Sequence, residues 1–403
     1  RKIQYHGRID DQYGVGYIRE NVTREDLAIA LDELLAGKAV SEPQTEAVGC
    51  FIGRVREVKT DGKVTWSNQI SRLFQKRCVE CHREGDIAPF SLTNYEEVAG
   101  WGETIAEVIE DNRMPPWHAN PKYGHFANDR HLSDEEKQLV YQWVADGTPE
   151  GDPKDLPKPR TFPTGWQLPQ KPDLVINMRD ESFQVPAEGT VRYQYFRVDP
   201  GFTEDKWITM AEVQPGNRAV VHHILVIVRP PQGFRRGGLE RSEWLAGYVP
   251  GLRAKQYPEG YAKLIPAGSQ LIFQVHYTPN GSPQEDLSRV GLIFAKPDEV
   301  KKAIVTTKAA NGKLAIPPHD ANHKVEATTG SLPVDVELLG MMPHMHLRGK
   351  SFLYEALTPG QENPETLLDV PAYDFNWQTG YLLEEPMTLP AGTRIHCVAH
   401  FDN

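Results

Sequence analysis

Five consecutive residues, Cys78-Val79-Glu80-Cys81-His82, carry the most specific chemistry in the sequence. C-x-x-C-H is the attachment pattern of a c-type haem. Two thiols bond to the porphyrin vinyl groups, and the adjoining histidine reaches the iron. Two other readings use the same residues. A structural zinc site pairs one C-x-x-C with a second Cys or His pair, but the remaining cysteines, Cys50 and Cys397, lie far away in sequence. A thioredoxin-like dithiol does not require the trailing histidine. Haem is therefore expected, and with it a redox protein assembled outside the cytoplasm. A thioether on the other side of the iron raises the potential. Met114 is the only methionine between Cys78 and residue 178, and Pro115-Pro116 hold the chain after it extended. His118, His125 and His131 are its rivals; two histidines on the iron would lower the potential.

Imidazoles supply the second chemistry. Five of the 14 histidines fall on strand-like runs: His222-His223 in Ala219 to Val228, His276 in Leu271 to Tyr277, and His344 and His346 in Met341 to Lys350. A polar ring in an apolar strand is costly unless it bonds to something, and clustered imidazoles suit Cu, Zn, Fe or Ni. His344 and His346 are two apart, so on a strand they share a face. His222 and His223 would point to opposite faces, and both reach one ion only if the backbone bulges there. His276 would add a third nitrogen from a neighbouring strand. Any one of these residues alone reads as a satisfied core or rim histidine; the three groups together read as metal ligands.

The rest of the chain must position these groups. A length of 403 residues calls for more than one domain. The balance of 39% hydrophobic and 25% charged residues is that of a folded globular protein. A net charge of -11 argues against nucleic acid and against an anionic membrane surface. No apolar run approaches the ~20 residues of a membrane span. No signal peptide is visible, and the start at Arg1 reads as a processed or truncated piece of a longer precursor.

Four segments are expected: 1–58, 62–153, 160–300 and 301–403. In the first, Thr23 is expected to cap a helix through Leu27, Leu31, Leu34 and Leu35 that stops at Gly37. Strand-like stretches flank it at Tyr5 to Asp10 and Thr45 to Gly53. In the second, Ile70, Leu73 and Phe74 predict a helix closing on Cys78. A second helix carries Val98, Trp101, Ile105, Val108 and Ile109. A third opens on a Ser133/Glu136 capping box and buries Leu139, Val140, Trp143 and Val144. After a Pro-rich linker from Pro153 to Pro172, helical periodicity vanishes. Short β-branched and aromatic runs between Gly/Pro turns predict antiparallel sandwiches.

Three resemblances add to this reading. The first segment resembles the C-terminal end of a thioredoxin-like redoxin domain, whose catalytic cysteine would lie upstream of Arg1; Cys50 as a resolving thiol and Cys50 as a buried or bonded cysteine are both open. Cys78 to Asp152 resembles monohaem cytochrome c domains, with C-x-x-C-H followed by Pro89-Phe90, Met114-Pro115-Pro116-Trp117 and the Trp143…Gly147…Pro149-Glu150-Gly151 pattern. From Trp166 to Asn403, the runs around His222-His223, His276 and His344-Met345-His346 are similar to the copper type II, ascorbate-dependent monooxygenases, the class of peptidylglycine α-hydroxylating monooxygenase. That resemblance implies two jelly-roll domains with one copper each. His222, His223 and His276 would hold an electron-transfer copper; His344 and His346 would be the catalytic pair, holding the copper that meets dioxygen. In that family a methionine completes the second site downstream of the segment resembling Ile395 to Asn403, where this chain stops. His400 is a candidate stand-in, and the resemblance implies that Cys397 has lost a disulfide partner in the same way.

The expected fold class is thus multidomain α + β: a partial thioredoxin-like segment, a small helical cytochrome c domain and two antiparallel jelly-roll β-sandwiches. The expected cofactors are haem c, on Cys78, Cys81, His82 and Met114, and two coppers. The expected function is an extracytoplasmic (periplasmic or extracellular) monooxygenase acting on a small-molecule or peptide substrate. An electron donor, ascorbate-like or a redox protein, is expected as a partner, and a homo-oligomer or larger assembly is compatible with the plan. A non-catalytic haem electron carrier or secreted scaffold is the rival reading. A peroxidase-like haem enzyme is a third, and needs an open sixth iron position.

Overall fold

Strands make up most of the regular structure and helices are few and short, which gives a mixed α and β chain with several separate sheets. The computed structural model describes residues 3–14, 17–19, 21–47, 61–163, 165–234, 243–249, 252, 254 and 256–403. The chain divides into two compact units, and each is described by itself.

Unit 1 comprises Arg1–Gly53, Thr164–Tyr248 and Arg253–Val305. It opens with the two-residue strands β1 (Tyr13–Gly14) and β2 (Tyr17–Ile18) and helix α1 (Asp26–Leu35). Thr23 does not cap this helix. Its hydroxyl and amide bond the Asp11 carboxylate, and Glu25 stands at the cap without a side-chain bond. Gly37 does supply the stop, at φ +69. The expected apolar face is largely outside: Leu31 is 50% and Leu35 86% exposed, while Ala30 is buried. The strand expected at Tyr5 to Asp10 shrinks to one bridge, His6 to Gln44. Cys50 and the residues around it lie outside the described residues.

The rest of unit 1 is sheet. β3 (Leu174–Asn177), β6 (Lys206–Gln214), β9 (Tyr261–Ile265), β12 (Arg289–Ala295) and β13 (Lys302–Ile304) form one sheet in the order β13-β9-β6-β12-β3. β5 (Gln194–Val198), β7 (Val221–Arg229), β8 (Glu243–Tyr248) and β10 (Gln270–Tyr277) form another in the order β5-β10-β7-β8. β4 (Phe183–Val185) pairs with β11 (Gln284–Asp286). Along β10, Leu271, Phe273, Val275 and Tyr277 are buried while the residues between them are not. That period of two is the alternation the sequence shows.

Unit 2 comprises Arg54–Pro163, Val249–Leu252 and Thr306–Asn403. A π-helical turn, Trp66–Ile70, runs into α2 (Ser71–Arg77), which ends at Cys78 as the spacing predicts. The second expected helix is broken at Trp101 into α3 (Tyr95–Gly100) and α4 (Gly102–Glu110), and α3 has its own capping box at Asn94 and Glu97. α5 (Asp134–Ala145) begins at the expected Ser133/Glu136 box. These pieces bury Ile70, Phe74, Val98, Val140 and Trp143 in one cluster. β14 (His323–Thr328), β16 (Gly349–Leu357), β17 (Glu365–Val370) and β19 (Arg394–Phe401) form a sheet in the order β14-β19-β16-β17. β15 (Val336–Met341) pairs with β18 (Tyr381–Leu389). The stretch 117–128 ties the helices to these strands. The Ala127 amide donates to Leu382 O, the Asn120 amide donates to Asp369 O, and Trp117 and Phe126 pack their rings on Tyr381. No helix among the described residues is long and apolar enough to cross a membrane.

Candidate metal and cofactor sites

The best-defined cluster lies on β7 and β10. His223 stands opposite His276, but the next pair is Val221 with Tyr277, so His222 is the extra residue of a β-bulge. The bulge cancels the alternation that would send His222 to the other face. The three rings come together, with centroids 5.1–5.4 Å apart. One potential ligand atom from each lies within 4.8 Å of the others, the only such group of three among the described residues. His222 Nδ1 and His223 Nδ1 are 3.1 Å apart; two nitrogens on one tetrahedral ion sit about 3.3 Å apart for bonds of 2.0–2.1 Å. His223 is buried and the other two are half-buried. Burial of the His222 ring lowers its pKa and favours the neutral form that ligates metals. Tyr193, just before β5, stacks on His276 at 4.9 Å and 22° and sits 5.6 Å from His223. The sequence marks Tyr193 only as part of a strand-like run, Thr190 to Val198, with no role at a site. A lone tyrosine before a strand gives no signal there, because its role depends on the pairing of β5 with β10.

His344 and His346 are placed differently. They lie in the loop between β15 and β16 and not on a strand, so the expected strand face does not exist. They still meet, with ring centroids 5.2 Å apart, because Met345 between them turns inward. Met345 is 3% exposed and packs with Ala399 and Phe401. The Tyr373 hydroxyl clamps it, accepting from Met345 N–H at 3.1 Å and donating to its carbonyl at 3.0 Å. Gly349 lies against this knot: a Cβ there would come within 2.7 Å of the Met345 Cβ. His344 Nδ1 donates to the Oε1 of buried Gln378 at 2.7 Å, which leaves Nε2 as the nitrogen that could ligate a metal. Among the described residues no third His, Cys, Asp or Glu joins this pair within ligating distance. His400 does not fill the gap; its Nδ1 pairs with Ser351 Oγ at 3.1 Å on β19 and β16.

The C-x-x-C-H residues form one turn after α2. The amides of Cys81 and His82 both donate to the Cys78 carbonyl, at 3.1 and 3.0 Å. His82 Nδ1 faces the Phe90 carbonyl at 3.2 Å, so that nitrogen carries the proton and Nε2 is left for a metal. Phe90 in turn stacks on Trp101. Desolvation and the neighbouring Cys81 push the half-buried Cys78 thiol up to about 12. A dithiol built for exchange has a depressed pKa, and burial of Cys78 acts in the opposite direction. The zinc reading gains no support: among the described residues Cys78, Cys81 and His82 do not bring their ligand atoms together as a group of three, and no fourth ligand joins them. Met114 is half-buried after α4, its amide bonded to Val108 O at 3.1 Å. Of its rivals, His118 and His125 lie on the stretch docked to β17 and β18, and His131 Nδ1 pairs with Asp129 at 2.6 Å. Cys397 is a buried thiol on β19.

No protein-family model matches the chain, and no curated protein matches it.

Proposed function

We propose that the chain is an extracytoplasmic oxidoreductase that joins a covalent c-type haem to a copper monooxygenase-like module. The observation that carries this reading is the three-histidine cluster on the β7 bulge. The donor chemistry of the residues supports both groups. Cys78 and Cys81 would bind the haem covalently, His82, its tautomer set by the Phe90 carbonyl, would ligate the iron, and Met114 is the proposed second ligand. His222, His223 and His276 would hold copper, and His344 and His346 a second copper. When bound, the haem supplies one-electron exchange, and the coppers supply one-electron exchange and the activation of dioxygen for hydroxylating a C–H bond.

The chain's own residues have separate tasks. The bulge brings the imidazoles together, and the Tyr193 ring stacks on His276 and holds its plane. Gln378 fixes the His344 tautomer, and Tyr373 fixes the loop by way of Met345. An external reductant, ascorbate-like or a redox protein, is required, and the substrate is a small molecule or peptide.

The two-ligand state of His344 and His346 favours a second reading, in which the haem is the working cofactor and the sheets are a scaffold. Oxygen uptake separates the two. With copper and ascorbate present, the full chain is expected to consume oxygen, and His344→Ala to abolish this without changing the haem spectrum. No uptake by the unaltered chain supports the carrier reading.

A further inference from the structure

The bulge that gathers the histidines is held from one point. Asp286, at the end of β11, is 1% exposed. Three donors converge on its carboxyl group: the Tyr277 hydroxyl at 2.8 Å, the Ser288 hydroxyl at 2.8 Å and the Asn217 amide at 2.9 Å. Two of these lead directly to the ligand strands. Tyr277 follows His276 and faces Val221 across the bulge. The Asn217 carbonyl accepts from the Val221 amide at 3.1 Å, and its Oδ1 accepts from Ala219 at 3.0 Å. The Val220 carbonyl then accepts from Thr278 at 2.8 Å, closing the loop between the two strands. The approach to this group leaves no slack. Tyr277 is 1% exposed and stacked on Phe183 at 5.0 Å, and a Cβ on Gly216 would lie 2.6 Å from the Leu287 amide. Val221 and Tyr277, the pair that flanks His222 on one side of the bulge, are therefore both tied to one carboxyl group.

We propose that Asp286 is the positioning residue of the His222/His223/His276 site, acting through Tyr277 and Asn217 to hold the bulge that turns His222 toward the metal. The assignment rests on the copper-binding reading of that cluster. Asp286 touches no metal and is not a catalytic residue. It sets which face His222 presents, and so whether the site has three ligands or two.

The test is cobalt(II) titration of the full chain, followed by visible ligand-field absorption, with a thermal melt of each variant. Tyr277→Phe removes one hydroxyl and keeps the ring; Asp286→Asn keeps the shape and replaces one acceptor with a donor. Both are expected to weaken cobalt binding about 10-fold, the low end for partners behind a ligand, and to change the ligand-field bands as His222 leaves the ion. Thr209→Val, which deletes a hydrogen bond to Ile293 in the same unit, is expected to leave affinity and bands unchanged. If Asp286→Asn fails to fold, Tyr277→Phe decides. A folded Tyr277→Phe variant with unaltered bands and affinity overturns the proposal, even if its melting temperature falls. A different result sinks the underlying reading: cobalt binding by the unaltered chain that is the same in His276→Ala.

Discussion

The two histidine groups are built by opposite means. On β7 and β10, paired backbone positions two of the imidazoles and a bulge adds the third, so the convergence of the rings is part of the sheet. At His344 and His346, a loop is pinned through the residue between the ligands, with Met345 as anchor and Tyr373 and Gln378 as clamps. The first arrangement supplies three nitrogens and needs only small ring movements; the second supplies two and depends on side chains from another loop. A site inside a ladder resists distortion as long as the ladder holds, whereas a clamped loop is only as rigid as its clamps.

Removing a ligand should break the contrast most sharply. His276→Ala is expected to weaken copper or cobalt binding at the cluster by more than about 100-fold, beyond the range for partners behind a ligand, while His344→Ala leaves the cluster's affinity unchanged. Isothermal titration of both variants checks this; equal losses would show one shared site. Next in size, Gln378→Leu frees the His344 tautomer and is expected to cost the loop pair about 10-fold in metal affinity, with no change at the cluster. Tyr193→Ala removes the ring stacked on His276 and is expected to cost the cluster about 2- to 10-fold, the equivalent of an aromatic pair.

The smallest effect lies away from both sites and sharpens the contrast with the helical part of unit 2. Burial raises the Glu136 carboxyl, but bonds from Lys76, the Ser133 amide and Arg77 outweigh it and hold the group below its usual value. A carboxyl depressed in the folded state adds stability above its unfolded value of about 4.5 and loses it as pH falls through the folded value. Glu136→Gln is therefore expected to lower stability at pH 7 by less than about 1 kcal/mol and to flatten its loss below about pH 4.5. Chemical denaturation at pH 7 and pH 3 measures both.

Local chemistry was the legible part of this sequence. The Ser133/Glu136 box, the helix closing on Cys78 and the alternation of Leu271 to Tyr277 each depend on neighbours within a few residues. The need for a bulge at His222 could be read from two adjacent histidines, since a regular strand separates them. What holds that bulge could not, because Asp286 is 64 residues further along and reaches it only through pairing. Thr23 failed as a cap because Asp11 competes for its hydroxyl. The strand predicted for His344 and His346 failed because an inward Met345 gives the same two-residue alternation in a loop. The break falls at Trp101, between Gly100 and Gly102, and the Trp101 ring there stacks on Phe90 beside His82, a contact that helical periodicity does not reveal.

The most direct measurement is the copper-to-iron ratio of the full chain, loaded with copper, then treated with a mild chelator and assayed by elemental mass spectrometry. Two coppers per haem iron are expected after loading, with one surviving the chelator and that one absent in His276→Ala. Fewer than one copper per iron, or a resistant copper that persists in His276→Ala, would contradict the assignment of His222, His223 and His276 as the copper site.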